Sequence, residues 1–235
     1  MQTTVTANGA PADSRDAWPA AIKRRVCTRM PIKSTSVIAG TALFLWAYFA
    51  VMRTPDNPPA IVPVTRWDYL IPISEPALYV YASLWAYIPC APALARDMRV
   101  LRRYWFSAMS MSMIGLAIFW LYPTAVPDLP IDWHRYPKLA FLKTADVSGN
   151  ALPSMHVAFA VFTAAWIAIE LRRIGTPWWP QAVNAVWAVA IVYSTMATRQ
   201  HLLIDVAGGA LLGALAILSS GPGRPHGTAP HPTGA

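Results

Sequence analysis

A histidine and an aspartate stand four residues apart at the start of the last apolar stretch of the chain. The spacing predicts that His201 and Asp205 share one helix face, one turn apart, where the carboxylate can accept the imidazole N–H. The carboxylate then fixes one tautomer and leaves the other ring nitrogen as an unprotonated nucleophile or base. An aspartate inside an apolar membrane helix costs roughly 2.5–3.5 kcal/mol on insertion scales, so it needs a partner. His201 supplies that partner.

A second polar stretch, Pro153-Ser154-Met155-His156, opens an earlier apolar run. Its proline and serine are typical of a helix N-terminus, where free backbone N–H groups and the helix dipole favour a phosphate or another anion. Arg199 is a permanent cation that can bind a phosphate in bidentate fashion. We interpret Ser154, Arg199 and this helix N-terminus as an anion site beside two histidines.

These side chains are of the types that in-line phosphoryl transfer requires. We expect His201 to attack phosphorus and form a phosphohistidine while His156 protonates the departing oxygen. Water or an alcohol then takes the phosphoryl group, with His156 acting as base. These steps need no cofactor, and we predict none.

Both stretches resemble motifs of the type 2 phosphatidic acid phosphatase superfamily, which comprises membrane lipid phosphatases and phosphotransferases. The second motif of that family is Pro-Ser-Gly-His, and Pro153-Ser154-Met155-His156 differs from it only in having Met155 in place of glycine. The third motif is Ser-Arg-x5-His-x3-Asp. Its spacing is kept by Ser194, His201 and Asp205.

The departures from these motifs resemble one branch of the family. Thr195 stands where the third motif has arginine, and this change, like Met155, resembles the branch that contains inositol phosphorylceramide synthase and its bacterial relatives. We assign the role of the missing arginine to Arg199. The first motif of the family, Lys-x6-Arg-Pro, is absent, and we choose Lys143 over Lys138 as a substitute phosphate contact because it lies nearer the second motif.

The resemblance covers roughly residues 35–219 and implies a six-helix bundle. It also implies a hydrolase or transferase that acts without metal on a lipid phosphate, phosphodiester or diphosphate at the outer face of the membrane. Phosphatase and phosphotransferase share the first half-reaction, so the sequence leaves both open. We put the lipid phosphatase first and a headgroup transferase similar to inositol phosphorylceramide synthase second.

The composition of the chain indicates an integral membrane protein. Of the 235 residues, 55% are hydrophobic and only 13% are charged, against roughly 25% charged residues in globular domains. Six apolar runs are each about long enough to cross the hydrocarbon layer as a helix. We therefore predict an all-α bundle of six transmembrane helices, of which the second is the least secure because it contains Pro89 and Pro92. The runs are 35–52, 77–95, 104–122, 155–171, 181–198 and 202–219.

The basic residues give the predicted orientation. With six crossings, 13 of the 19 lysines and arginines fall on the side of the two termini. By the positive-inside rule, both termini are cytoplasmic, and the protein crosses the cell inner membrane with its active site facing the extracytoplasmic side. The net charge of +8 thus reflects topology, and we predict a membrane and a lipid phosphate as partners but no nucleic acid.

The chain is predicted to have three parts, namely a flexible basic tail (1–33), the membrane catalytic domain (34–219) and a disordered C-terminal tail (220–235). Gly209 and Gly213 form a small-x-x-x-small pattern, for which we favour packing inside the bundle over a dimer interface. The oligomeric state is not predicted. Two cysteines give neither a disulfide framework nor a Cys-based zinc site.

Two other interpretations of the histidines stay open. His156, His201 and Asp205 could bind a divalent metal as a facial triad, but Arg199 is a poor neighbour for a cation, so we predict no metal. A non-enzymatic transporter or scaffold could use the His201–Asp205 pair only to hold helices together. Transporters, however, place their ionisable residues near the bilayer midplane, whereas these lie near one face.

Overall fold

The computed structural model describes residues 14–53, 58–145 and 149–220. The described chain is predominantly helical, which confirms the all-α prediction. Each predicted apolar run contains helix, although the second run is divided. The helices are α1 (Ser14–Cys27), α2 (Met30–Arg53), α3 (Ala77–Ala82), α4 (Leu84–Tyr87), α5 (Cys90–Ala93), α6 (Met98–Leu121), α7 (Pro137–Ala145), α8 (Met155–Ile174), α9 (Trp178–Ala197) and α10 (Leu203–Ser219).

Two of the described helices, α2 and α6, are long and apolar enough to cross a membrane. The apolar helix α10 is shorter, with 17 residues. The predicted second run forms the short helices α3, α4 and α5 in place of one continuous helix. Pro89 immediately precedes α5 and Pro92 lies within it, and neither has the N–H that would continue the helix from α4.

A pair of glycines brings α10 against α8. A Cβ atom at Gly209 would collide with the backbone carbonyl of Ser154, and one at Gly213 would collide with the carbonyl of Ala158. The small-x-x-x-small pattern therefore serves packing within the chain, as we favoured. Because short turns join α8 to α9 and α9 to α10, the start of α8, the end of α9 and the start of α10 lie at the same end of the bundle.

A short two-stranded sheet fixes the segment that leads into α8. β1 (Ala60–Ile61) pairs in parallel with β2 (Thr124–Ala125), and Thr124 forms a further bridge with Asn150. The Thr124 hydroxyl accepts a hydrogen bond of 2.8 Å from the backbone N–H of Leu152. The loops that follow α2 and α6 are thus held beside the start of α8, the end of the bundle where the histidines lie.

At the opposite end of the bundle, α1 docks on α8. Glu170 is 1% exposed and pairs with Arg25 of α1 at 2.6 Å and with Arg173 at 2.5 Å. Trp18 makes an edge-to-face contact with Trp179, with ring centroids 5.4 Å apart.

These contacts hold α1 against the bundle. We expected a flexible tail over residues 1–33, but residues 14–33 are largely helical. Residues 1–13 and 221–235, which carry the rest of the two predicted tails, lie outside the described part of the chain.

Candidate active site

The two histidines from distant parts of the sequence lie side by side. His156 is in the first turn of α8, and His201 is in the loop that enters α10. Their ring centroids are 5.8 Å apart and their planes are inclined by 53°. His201 is 6% exposed, so this meeting of rings is largely shielded from solvent. The phosphoryl-transfer hypothesis depends on this contact, which we expected from the sequence.

Asp205 lies beside His201, but not through the shared helix face that the spacing predicts. His201 precedes α10, and the carboxylate in the first turn of that helix reaches back toward it. Asp205 Oδ2 is 3.7 Å from His201 Nδ1, which is ion-pair distance and longer than a hydrogen bond. Catalytic hydrogen bonds are often long in unliganded enzymes and tighten when substrate binds.

The carboxylate of Asp205 is fixed by backbone groups. It is fully buried, and its Oδ2 accepts a hydrogen bond of 2.8 Å from the N–H of Leu202. The carbonyl of Asp205 accepts a hydrogen bond of 3.0 Å from the N–H of Ser154. Asp205 thereby joins the start of α10 to the start of α8. In the described part of the chain, Asp205 Oδ1 and His201 Nδ1 are buried without a hydrogen-bond partner.

Ser154 caps α8. Its hydroxyl accepts a hydrogen bond of 3.3 Å from the N–H of Val157, and the residue is fully buried. This arrangement satisfies one of the free N–H groups at the helix start. The structure therefore gives the Ser154 hydroxyl a capping role and places the N-terminus of α8 at the two histidines.

Arg199 has a different setting from the one we expected. Its backbone is in the left-handed region, with φ of 59°. Two of its guanidinium nitrogens donate to backbone carbonyls, Nη1 to Asp68 at 2.8 Å and Nη2 to Ile71 at 2.7 Å. Asp68 in turn accepts a hydrogen bond of 2.7 Å from the N–H of Leu203 at the start of α10. Arg199 and Asp68 thus clamp the 68–71 segment onto the loop that carries His201.

Lys143 lies on α7 and is partly exposed. Its Nζ is 2.5 Å from Asp128 Oδ1 and lies 4.9 Å from the ring centroid of Trp133. The hydrogen bond from Lys143 lowers the pKa of the Asp128 carboxyl. Lys138, the alternative that we set aside, donates to the hydroxyl of Tyr79 at 2.8 Å.

Two adjoining cavities surround this region. A cavity of about 130 Å³ with a mixed polar and apolar lining includes both Lys143 and Arg199. A largely apolar cavity of about 330 Å³ is lined by both histidines and runs between α2, α6 and α8. Asn150 and Gln200 line both cavities. The structure therefore brings His156, His201 and Asp205 together and places the two predicted basic contacts in the neighbouring cavity.

Two residues of this region were not found by sequence reasoning. Tyr81 of α3 stacks on His156, with ring centroids 4.5 Å apart and an inclination of 30°, and its hydroxyl is 3.4 Å from His156 Nδ1. Tyr81 lies in an apolar run, where a tyrosine does not stand out from its neighbours as a candidate site residue. Asp68 is 2% exposed. An acidic residue among Trp67, Tyr69 and other apolar neighbours is a signal that we did not use.

A metal centre was the other chemical interpretation of these histidines. Within residues 14–53, 58–145 and 149–220, no group of three or more His, Cys, Asp or Glu side chains is arranged to hold a metal ion. Asp205 accepts a hydrogen bond from the N–H of Leu202, and the ring of His156 contacts that of Tyr81.

Comparison with known proteins gives one match. A family model described as the PAP2 superfamily matches residues 117–220, a little under half of the chain. The match agrees with the resemblance of the two motifs, and its range contains all the site residues that we predicted. No curated protein matches the chain, and no solved structure matches it.

Proposed function

We propose that this chain is an integral membrane lipid phosphatase or phosphotransferase that passes a phosphoryl group through a phosphohistidine on His201. The observation that carries the proposal is the contact of the His156 and His201 rings, with buried Asp205 beside His201. The PAP2 superfamily match supports phosphatase-type chemistry in general.

The geometry supports a distinct role for each histidine. Because Nδ1 of His201 faces Asp205, its Nε2 is the nitrogen available to attack phosphorus. In the first step, a bond forms between Nε2 and phosphorus as the bond to the leaving oxygen breaks, and His156 gives that oxygen a proton. In the second step, water or an alcohol forms a P–O bond, the N–P bond breaks, and His156 takes the proton back.

The apolar cavity supports a lipid as substrate. On α2 it is lined from Gly40 to Phe49, which at ~1.5 Å per residue is a length of roughly 14 Å. This length is close to half of the ~30 Å hydrocarbon core of a bilayer. One hydrocarbon chain of a lipid in the outer leaflet would therefore reach about to the end of the cavity with its phosphate at the histidines.

The same proposal includes six crossings of the inner membrane, with the site on the extracytoplasmic side. Basic residues at the start of α6 and the end of α8 lie at the end of the bundle opposite the histidines. They include Arg99, Arg102, Arg172 and Arg173. Their position favours the cytoplasm for that end by the positive-inside rule.

A headgroup transferase resembling inositol phosphorylceramide synthase is the second candidate. The observation that favours it is the smaller cavity, which is lined by Lys143 and Arg199 and adjoins the histidines through Asn150 and Gln200. A hydroxylated acceptor held there would compete with water for the phosphohistidine. Without such an acceptor, the same intermediate gives hydrolysis.

Purified protein incubated with a panel of lipid phosphates, diphosphates and phosphodiesters tests the proposal. We expect release of inorganic phosphate if water is the acceptor, and new lipid species in mixed-lipid vesicles if an alcohol is the acceptor. His201→Ala and His156→Ala should abolish turnover without unfolding the protein in detergent. His134→Ala is the matched control, because His134 is exposed in the loop before α7.

Retention of activity by His201→Ala would falsify the nucleophile assignment. If the unmodified protein turns over none of the panel, the His–Asp pair is structural and the non-enzymatic interpretation is correct.

A further inference from the structure

Tyr81 is the aromatic side chain that contacts His156. It lies on α3, outside the range of the family match and outside both sequence motifs. It is 9% exposed, its ring stacks on the imidazole, and its hydroxyl is 3.4 Å from Nδ1. The family motifs therefore do not account for the environment of the second histidine.

The two histidines have partners of different chemistry. An ionised carboxylate can only accept hydrogen bonds, so Asp205 favours a proton on Nδ1 of His201 and keeps Nε2 unprotonated. A phenol hydroxyl can both donate and accept. It can accept a hydrogen bond from Nδ1–H of His156 whether or not Nε2 carries the second proton, so Nε2 is the nitrogen that gives up and takes back a proton. A stacked aromatic ring also stabilises a cation above its face.

We propose that Tyr81 is the positioning residue that lets His156 alternate between acid and base. The hydroxyl of Tyr81 holds Nδ1 of His156 in both protonation states and directs Nε2 to the reacting oxygen. In the first half-reaction the proton on His156 passes to the leaving oxygen as the P–O bond breaks. In the second half-reaction His156 receives a proton from the attacking water. This inference rests on the proposed function.

Esters with different leaving groups test the role of Tyr81. The leaving alcohol of dodecyl phosphate is a poor leaving group that needs a proton, whereas the phenolate of 4-nitrophenyl phosphate departs without one. In Tyr81→Phe, which keeps the stacked ring, we expect kcat/KM for dodecyl phosphate to fall about 10- to 100-fold, as for loss of a hydrogen bond to a charged group. For 4-nitrophenyl phosphate the change should be under about threefold.

A second readout follows the phosphoenzyme. Since its hydrolysis still requires His156 as base, Tyr81→Phe should accumulate more acid-labile phosphohistidine from 4-nitrophenyl phosphate than the unmodified protein does. Tyr87→Phe is the matched control. Tyr87 is 1% exposed and its hydroxyl donates to Asn184 Oδ1 at 2.6 Å, away from the histidines. Loss of that hydroxyl should lower stability without discriminating between the two esters.

The outcomes separate this inference from the proposed function. If the unmodified protein is active and Tyr81→Phe is unchanged on both esters, the inference is wrong and the proposed function stands. An equal loss on both esters, accompanied by lower thermal stability as in Tyr87→Phe, makes Tyr81 merely structural and also overturns the inference. Absence of turnover of either ester and of any lipid by the unmodified protein overturns both.

Discussion

Replacing Asp205 with asparagine isolates the negative charge at the site. In the proposed first step the ring of His201 gains positive charge as it attacks phosphorus, and a carboxylate oxygen lies 3.7 Å from Nδ1. At an effective dielectric constant of about 20, two unit charges at this distance attract by about 4 kcal/mol, which corresponds to about 10³-fold in rate. Asparagine is isosteric and keeps an oxygen for the N–H of Leu202, so it removes the charge and retains the helix cap.

We therefore expect Asp205→Asn to lower kcat/KM for a lipid phosphate by about 10³-fold with an unchanged melting temperature in detergent. Asp97→Asn is the matched control, because Asp97 caps α6 at the opposite end of the bundle and asparagine caps helices equally well. A change within threefold for Asp205→Asn would refute the electrostatic role of the carboxylate. A loss of activity that tracks a lower melting temperature would place the role of Asp205 in packing.

Four further changes probe the packing of the bundle, the apolar cavity and the pH dependence of stability. Arg199→Ala removes two hydrogen bonds to loop carbonyls, so we expect a loss of about 2–4 kcal/mol of stability, measured by thermal unfolding in detergent, with Arg199→Lys rescuing little of it. Gly209→Ala should lower the melting temperature by several degrees, because the added methyl collides with a backbone carbonyl of α8. Thr41→Trp, at the far end of the apolar cavity, should raise KM for long-chain but not short-chain alkyl phosphates, whereas Leu43→Trp on the exposed face should not. Asp97 has a lowered pKa because it accepts hydrogen bonds from backbone N–H groups. This charge-dependent contribution, about 1 kcal/mol or less, is complete above about pH 4 and is lost as the pH falls through the folded-state pKa. The difference in melting temperature between Asp97→Ala and the unmodified protein should therefore shrink at low pH.

The helical segments were predictable from sequence because apolar runs of fixed length allow few alternatives. The boundaries of the runs that contain α2, α6, α8, α9 and α10 differ from the helices by a few residues. The second run was harder to predict, since hydropathy does not register that the helix breaks at Ser83, between α3 and α4, or that Pro89 separates α4 from α5. The helix α1 was missed because its charged sequence finds a surface only in the folded protein, where Arg25 pairs with buried Glu170.

The meeting of His156 and His201 was predictable because each motif opens a helix at the same end of the bundle. The role of Arg199 was not. From sequence it is a cation two residues before His201, and nothing in that spacing indicates that its backbone turns left-handed and directs the guanidinium to the carbonyls of Asp68 and Ile71. Those carbonyls come from a loop about 130 residues earlier in the chain.

The contacts that position the site therefore come in large part from outside the motifs that identify it. Asp68 accepts a hydrogen bond from the N–H of Leu203, and the Tyr81 hydroxyl lies within 3.4 Å of Nδ1 of His156. Neither residue lies in the range of the family match. A motif specifies which atoms react, whereas the loop after β1 and the helix α3 determine the orientation of those atoms. A protein with both motifs but a different segment between α2 and α6 would then have the two histidines without the hydroxyl that lets one of them exchange a proton.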